Sequence, residues 1–322
     1  MEKTISKPSI VFMGTPGFAA GILTYLIEKG YDIRGVVTVP DKPSGRGLSF
    51  QPSAVKEVAL KAGLPLLQPA LLKDPIFLEQ LAAWHAGIFV VVAFRMLPSV
   101  VWEMPKLGCF NLHASLLPDY RGAAPLNHVL INGEHETGIT TFLIDKQIDT
   151  GLILLQEKTR IVPSDNAGSL HDRLMEMGGP LVARTIDGLW AGTLKGMSQP
   201  DTQAEKLNPA PKIYRETCLI HWDREATQIV NLIRGLSPVP CAFGMLKKDD
   251  SVTEIKIYEA RAEHDQHSLP PGKIITDGKK IFKVACRDGY IHLNEVRAPG
   301  RKKLDIASFL AGFRDPGDAR FI

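Results

Sequence analysis

The sequence predicts an α/β protein: a mostly parallel, helix-covered sheet followed by a second, smaller β domain. Three observations carry that expectation. Short apolar runs alternate with helical periodicities through residue 192, a stretch without periodicity follows, and five closely spaced strand-like runs occupy the rest.

Ser9-Ile-Val-Phe-Met13 is a short apolar strand ended by Gly14, Phe18 to Lys29 repeats at helical spacing and is closed by Gly30, and Ile33 to Val39 is the next strand. This is a β-α-β opening. Helical patterns at Ser53 to Ala62 and Pro75 to Trp84 then alternate with strands at Pro65 to Gln68 and Ile88 to Ala93. A strand at Phe110 to His113, a helix at Pro125 to Ile131 and a strand pair around Gly138 to Ile144 and Leu152 to Glu157 come next. Ser169 to Leu189 reads as a long amphipathic helix packed on the sheet. Such alternation implies parallel strands with helices on both faces. Gly14-Thr-Pro-Gly17 falls short of Gly-x-Gly-x-x-Gly, so its glycines are read as allowing a tight strand-to-helix turn and close approach to a ligand, not as a dinucleotide site. From Thr193 to Pro211 the chain gathers Gly, Gln, Asn and Pro and reads as a linker. The expected organisation is therefore a catalytic domain over 1–192, a linker over 193–211 and a second domain over 212–322. In the latter, Asp223 is placed to cap a helix to about Arg234, which Pro238 and Pro240 stop. Strands are expected at Cys241 to Leu246, Glu254 to Ala260, Gly272 to Thr276, Ile281 to Ala285 and Ile291 to Val296, enough for a small barrel.

Composition bounds the function. With 322 residues, 44% hydrophobic and 23% charged, the chain is ordinary globular material. Cys109, Cys218, Cys241 and Cys286 are too scattered for a structural zinc site, and buried thiols in a reducing compartment are expected. No apolar run approaches the ~18 residues of a membrane span and the start lacks a signal core, so a cytoplasmic protein without membrane contact is expected. The net charge of +3 is small but uneven: from Glu205 onward there are 20 Lys and Arg against 16 Asp and Glu, a mildly basic second domain compatible with an RNA backbone.

The chemistry sits in Asn111-Leu-His113-Ala-Ser115-Leu-Leu-Pro118, in Tyr120-Arg-Gly-Ala-Ala-Pro125 and in Asp149-Thr-Gly151. Alternate residues of a strand face the same side, so Asn111 and His113 can converge on one substrate atom at the carboxyl end of a strand, where ligands of open α/β sheets bind. An amide, an imidazole and a carboxylate together suit acyl transfer: Asn111 can donate to a developing oxyanion, His113 can take the proton released by an attacking nucleophile, and Asp149 can orient the imidazole and favour its cation. Asp149 read alone also suits a turn, and Asp145 is a rival carboxylate ranked second because it precedes the turn that Asp149 tops. No covalent nucleophile and no metal are required.

Asn-Leu-His-Ala-Ser-Leu-Leu-Pro-Asp-Tyr-Arg-Gly-Ala-Ala-Pro resembles the signature of the 10-formyltetrahydrofolate-dependent formyltransferases, and its Arg-Gly-Ala-Ala-Pro ending is similar to the members that formylate methionyl initiator tRNA. The resemblance extends to Gly14-Thr-Pro-Gly-Phe18, Pro40-Asp-Lys-Pro-Ser-Gly-Arg-Gly47, Met104-Pro-Lys-Leu-Gly108, Pro211-Lys-Ile213 and His221-Trp222. It implies a Rossmann-like catalytic domain and an OB-like carboxyl-terminal barrel. It implies 10-formyltetrahydrofolate as formyl donor, methionyl initiator tRNA as acceptor, and Asn111, His113 and Asp149 as the catalytic set. Ser115, Leu116, Leu117 and Pro118 match the folate-contacting segment, with Phe94, Arg95, Met96, Leu97 and Asp145 as further folate positions. Arg46, with Lys42 in the same loop, matches an arginine that reads the tRNA acceptor end. Lys212, Arg301, Lys302 and Lys303 are basic positions that would follow the acceptor stem. A monomer is expected. Three departures stand out: Asp119-Tyr120 where tRNA-formylating members often have Arg-Trp, Leu152 where they have an aspartate, and a Phe94 to Pro98 loop one residue shorter than theirs and closer to that of glycinamide ribonucleotide formyltransferase. The residues leave other functions open: formylation of a small amine such as glycinamide ribonucleotide or an amino sugar, a non-catalytic RNA-binding protein, or a nicotinamide-dependent oxidoreductase.

Overall fold

A computed structural model of the chain describes residues 8–44, 49–200, 207–313 and 317–322, with the backbone alone at 42–44, 49 and 50. Two compact units emerge: Met1–Gly122 with Thr137–Thr159 and His171–Pro209, and Ala123–Glu136 with Arg160–Leu170 and Ala210–Ile322.

In chain order the elements are β1 (Ser9–Gly14), α1 (Gly17–Glu28), β2 (Asp32–Val37), β3 (Lys42–Ser44), β4 (Ser49–Gln51), α2 (Ala54–Lys61), β5 (Leu66–Leu67), α3 (Pro75–Ala83), β6 (Ile88–Val92), α4 (Ser99–Trp102), β7 (Cys109–His113), α5 (Pro125–Ile131), β8 (Glu136–Leu143), β9 (Ile153–Arg160) and α6 (Ala167–Trp190). The first unit is built on a sheet of order β5-β2-β1-β6-β7-β8-β9. β5, β2, β1, β6 and β7 pair in parallel, and β8 runs antiparallel to β7. The expected mostly parallel, Rossmann-like sheet is present. Gly14 is needed for the tight turn after β1, because a Cβ there would lie 2.6 Å from Ala19 Cβ and 2.9 Å from Val92 O.

The two faces of β7 meet different partners. On one, Gly178 of α6 packs closely: a Cβ there would lie 2.9 Å from a methyl of Leu112 and 2.7 Å from a methyl of Ile22 of α1. On the other, Val11, Met13, Phe89, Val91 and Cys109 pack with Phe77 and Leu81 of α3 and Val101 of α4. Since side chains alternate, Cys109, Asn111 and His113 share this second face, and the register sets Val91 beside Asn111. α2 begins as expected, its cap Ser53 accepting from Lys56 N at 3.1 Å. The base of the loop after β2 is tied down by Asp41, which meets Lys56 Nζ at 2.6 Å and Gln68 Nε2 at 2.9 Å.

The second unit carries α7 (Ala226–Leu236), β10 (Ala242–Lys248), β11 (Ser251–His264), β12 (Ile274–Thr276), β13 (Phe282–Ala285), β14 (Gly289–Arg297), β15 (Leu304–Asp305), α8 (Ile306–Gly312) and β16 (Arg320–Phe321). Its sheet runs β12-β13-β14-β11-β10-β16 with β15 on β14. An antiparallel bridge between Lys273 and Arg320, with Phe321 N donating to Gly272 O at 2.9 Å, brings the last strand back to the lead-in of the first. The small barrel is thus nearly closed around Trp222, Phe243, Ile257, Phe282, Ile291, Val296 and Phe321. α5 belongs to this unit, where Asn127 Nδ2 donates to Gly235 O at 2.7 Å.

One local expectation is corrected. Asp223 does not cap α7: the helix starts three residues later, and Asp288 accepts from Ala226 N at 2.7 Å. A carboxylate distant in sequence does what the local one was expected to do. β11 is longer than expected, and β15, α8 and β16 were not anticipated; two-residue strands show no alternation to read. All four cysteines are buried and free. Among the described residues no helix is long and apolar enough to cross a membrane.

Candidate active site

His113 ends β7 almost fully buried, 5% exposed, with its ring edge-on to Phe142 at 6.3 Å. Nε2 lies 2.9 Å from Tyr120 O. A carbonyl only accepts, so this nitrogen carries the hydrogen in the neutral ring and Nδ1 holds the free lone pair. Nδ1 faces Asp149 Oδ2 at 3.8 Å, outside hydrogen-bond reach and close enough to stabilise a proton arriving there. Asn111 is half-buried, and among the described residues its carboxamide has no hydrogen-bond partner. It lies on the same face as His113, one pleat earlier.

Asp149 tops the loop between β8 and β9 in a left-handed conformation, φ 56°, and its Oδ2 accepts from Gly122 N at 2.9 Å. The rival carboxylate closes the same loop: Asp145 Oδ1 accepts from Gln147 N at 2.9 Å and Thr150 Oγ1 at 2.8 Å. Asp145 thus supports the turn from which Asp149 projects. Gln199 Nε2 donates to Asp149 O at 3.0 Å and Gly151 O at 2.8 Å. Gly151 is fixed by sterics, since a Cβ there would stand 1.6 Å from Leu143 O. Gly151→Ala is therefore expected to force the β8–β9 hairpin apart and cost about 1–3 kcal/mol, as for other overpacked sites, which urea unfolding would measure. An unchanged unfolding midpoint would show that the backbone relaxes freely there.

Around this pair lie the expected folate positions. Ser115 and Leu117 are buried, Leu116 and Pro118 half-buried. The segment is sewn to β8 and β9: Thr140 Oγ1 donates to Ser115 O at 2.7 Å and accepts from Leu117 N at 3.1 Å, and Gln156 Nε2 donates to Leu117 O at 2.9 Å. Phe94 to Leu97 leave the end of β6, the strand beside β7. Leu97 is buried in the core of that face, while Met96 is 73% exposed. Arg95 donates from Nη1 to Ala70 O at 2.8 Å and from Nη2 to Pro69 O, and burial lowers its pKa. Its guanidinium ties two loops together at this end of the sheet.

The expected tRNA positions are spread over both units. Arg46 lies outside the described residues, and Lys42 is described in its backbone alone, within β3. In the second unit Lys212 Nζ lies 5.5 Å from the Tyr214 ring centre, and Lys303 Nζ pairs with Glu295 at 2.7 Å, which raises its pKa. Arg301 and Lys302 are exposed.

The family model for formyl transferase matches residues 8–186, and that for the formyl transferase C-terminal domain matches 212–314. The chain belongs to the formyl transferase family. Among formyl transferases, proteins named methionyl-tRNA formyltransferase are its near relatives. The one from Bacteroides thetaiotaomicron is 48% identical over 307 residues, 95% of either chain. The one from Flavobacterium johnsoniae is 49% identical over 316 residues, 98% of this chain and 99% of the relative. Solved structures share the fold at lower identity. An N-formyltransferase from Helicobacter canadensis, in complex with folinic acid and dTDP-3-aminofucose, gives a TM-score of 0.62 at 21% identity over 88% of this chain and 98% of that one. HypX from Aquifex aeolicus, in complex with tetrahydrofolic acid, gives 0.62 at 17% over 96% of this chain and 47% of that one.

Several groups that shape this candidate site escape sequence reasoning. Tyr120 O and Gly122 N are backbone atoms, which no residue type announces. Gln199 falls in a stretch read as linker, and Thr140 and Gln156 sit on strands whose pattern shows only burial. The nearest usable signal for Gln199 is a polar residue in an otherwise unpatterned segment, which is too common to single it out.

Proposed function

We propose that this chain transfers the formyl group of 10-formyltetrahydrofolate to the α-amino group of methionyl initiator tRNA, for translation initiation, as a cytoplasmic monomer without a metal requirement. The observation that carries the reading is the 48–49% identity, over 95% or more of the chain and so across both units, to proteins named methionyl-tRNA formyltransferase. A sheet end that carries an amide without a partner among the described residues, an imidazole and a carboxylate supports the chemistry.

The folate supplies the formyl carbon and, at N10, the leaving nitrogen. An α-amino group titrates at about 7.7–8.0 in model compounds, so a useful share is neutral at pH 7 and can attack the carbonyl carbon. As the carbonyl oxygen gains charge, the Nδ2–H of Asn111, which has no competing acceptor among the described residues, donates to it. The proton lost by the attacking nitrogen passes to Nδ1 of His113, because Nε2 already holds a hydrogen against Tyr120 O. Asp149 at 3.8 Å stabilises the resulting imidazolium, and Gly122 N keeps that carboxylate aimed. The same proton then serves the departing N10 as the C–N10 bond breaks, which leaves tetrahydrofolate and formylated methionyl-tRNA. Every group returns to its starting state. The segment 115–118 and the Phe94 to Leu97 loop flank this point as the folate wall. Arg46, Lys42, Lys212 and Arg301 to Lys303 are assigned to the tRNA backbone.

The test is a formyl-transfer assay with labelled 10-formyltetrahydrofolate and, in separate reactions, methionyl initiator tRNA, methionyl elongator tRNA, glycinamide ribonucleotide and a nucleotide-linked amino sugar. Label is expected in the initiator tRNA. Transfer to a small amine with none to tRNA would overturn the reading.

A further inference from the structure

The segment read from the sequence as a linker contributes a side chain to the loop that carries Asp149. Met197 and Ile153 exchange both backbone hydrogen bonds, at 2.8 Å each, which lays this stretch along the start of β9. Two residues later Gln199 reaches the turn. Its Nε2 donates to Asp149 O and Gly151 O, the carbonyls on either side of Thr150, and its Oε1 accepts from Arg121 Nε at 3.1 Å and from Arg121 Nη2. This network leaves the amide one orientation: a guanidinium can only donate, so the oxygen must face Arg121 and the NH2 must face the two carbonyls.

The residue so held is, like Tyr120, in the left-handed region. At φ 56° Asp149 occupies a region that a non-glycine residue keeps where its surroundings over-determine it. Those surroundings are Gln199 on the backbone and Gly122 N on the carboxylate. We infer that Gln199, oriented by Arg121, is a positioning residue for formyl transfer: it holds the Asp149 turn so that the carboxylate stays against Gly122 N and in front of His113 Nδ1. The inference rests on the function proposed above and adds that residues 197–199 complete the catalytic unit instead of merely leaving it. Without the amide, the turn relaxes toward negative φ, the carboxylate swings off the Gly122 amide, and the protonated imidazole loses its counter-charge.

Two substitutions separate this role from simple packing. Gln199→Glu keeps the length and the acceptor for Arg121 but brings no N–H to the carbonyls; Gln199→Ala removes both. Each is expected to lower kcat about 10- to 100-fold while KM for either substrate stays within about threefold, the pattern of a displaced catalytic group. In the protein free of substrates, amide hydrogen exchange at Gly122 is expected to quicken at least about tenfold, with β7 amides and the melting temperature unchanged, because only the local opening is altered. Parent-like Gly122 protection in Gln199→Glu would overturn the inference, as would a parent-like kcat. The exchange measurement needs no substrate. If the parent protein formylates no tRNA, the proposed function falls while Gly122 still decides the role of Gln199.

Discussion

His113→Ala is expected to lower single-turnover formyl transfer by about 100- to 10,000-fold, the range typical of removing a general acid–base group, while charged tRNA binds within about threefold of the parent affinity. Both halves of that expectation come from geometry. The ring is 5% exposed, so it offers a bound macromolecule almost no surface. Its Nε2 is committed to the 2.9 Å bond to Tyr120 O, and its other nitrogen is the proton acceptor the reaction needs. His113→Gln is the companion, because its amide can keep a bond to Tyr120 O while offering no base of comparable strength. Turnover within tenfold of the parent in both variants would remove this imidazole from the proton path.

Asn111→Ala should cost about 100- to 1000-fold in kcat, the effect of deleting one oxyanion donor, with the melting temperature unchanged. Stability is spared because the carboxamide makes no hydrogen bond among the described residues and is only half-buried. A polar group left idle by the fold is free to serve a transition state. Asn111→Asp sharpens the measurement: it preserves shape but sets a negative charge beside a developing one, so its loss should at least equal that of the alanine variant. Retention of more than about a tenth of parent activity in Asn111→Asp would contradict the donor role.

Periodicity found the elements where packing enforces it. α5 falls at the expected Pro125 to Ile131, and β1, α1, α2, α3, β6 and β7 fall within a residue or two of their expected bounds. Each buries a continuous face, so its pattern is dense. The reading weakened where neighbours rather than local residues decide: Asp288 begins α7 in place of Asp223, and Arg320 and Phe321 form a strand because β10 and the Gly272 lead-in lie beside them. The site shows the same division. Side chains that could be named by chemical type, Asn111, His113 and Asp149, lie at one sheet end. The atoms that aim them, Tyr120 O, Gly122 N and the Gln199 amide, stayed hidden because a backbone group has no letter and an isolated glutamine has no pattern.

The partners of His113 and Asp149 on the 120–122 turn are main-chain atoms, and this bears on how the family can diverge. The carbonyl of residue 120 does not depend on the side chain beside it, so that side chain can change so long as the path of the turn persists, whereas Gly122 at φ 128° and Arg121, which holds Gln199, are tied to their residue types. Asp119-Tyr120 can therefore depart from the Arg-Trp that the resemblance leads one to expect without disturbing the imidazole or the carboxylate. The imidazole and the carboxylate inherit their aim from the path of the chain and not from the letter at position 120.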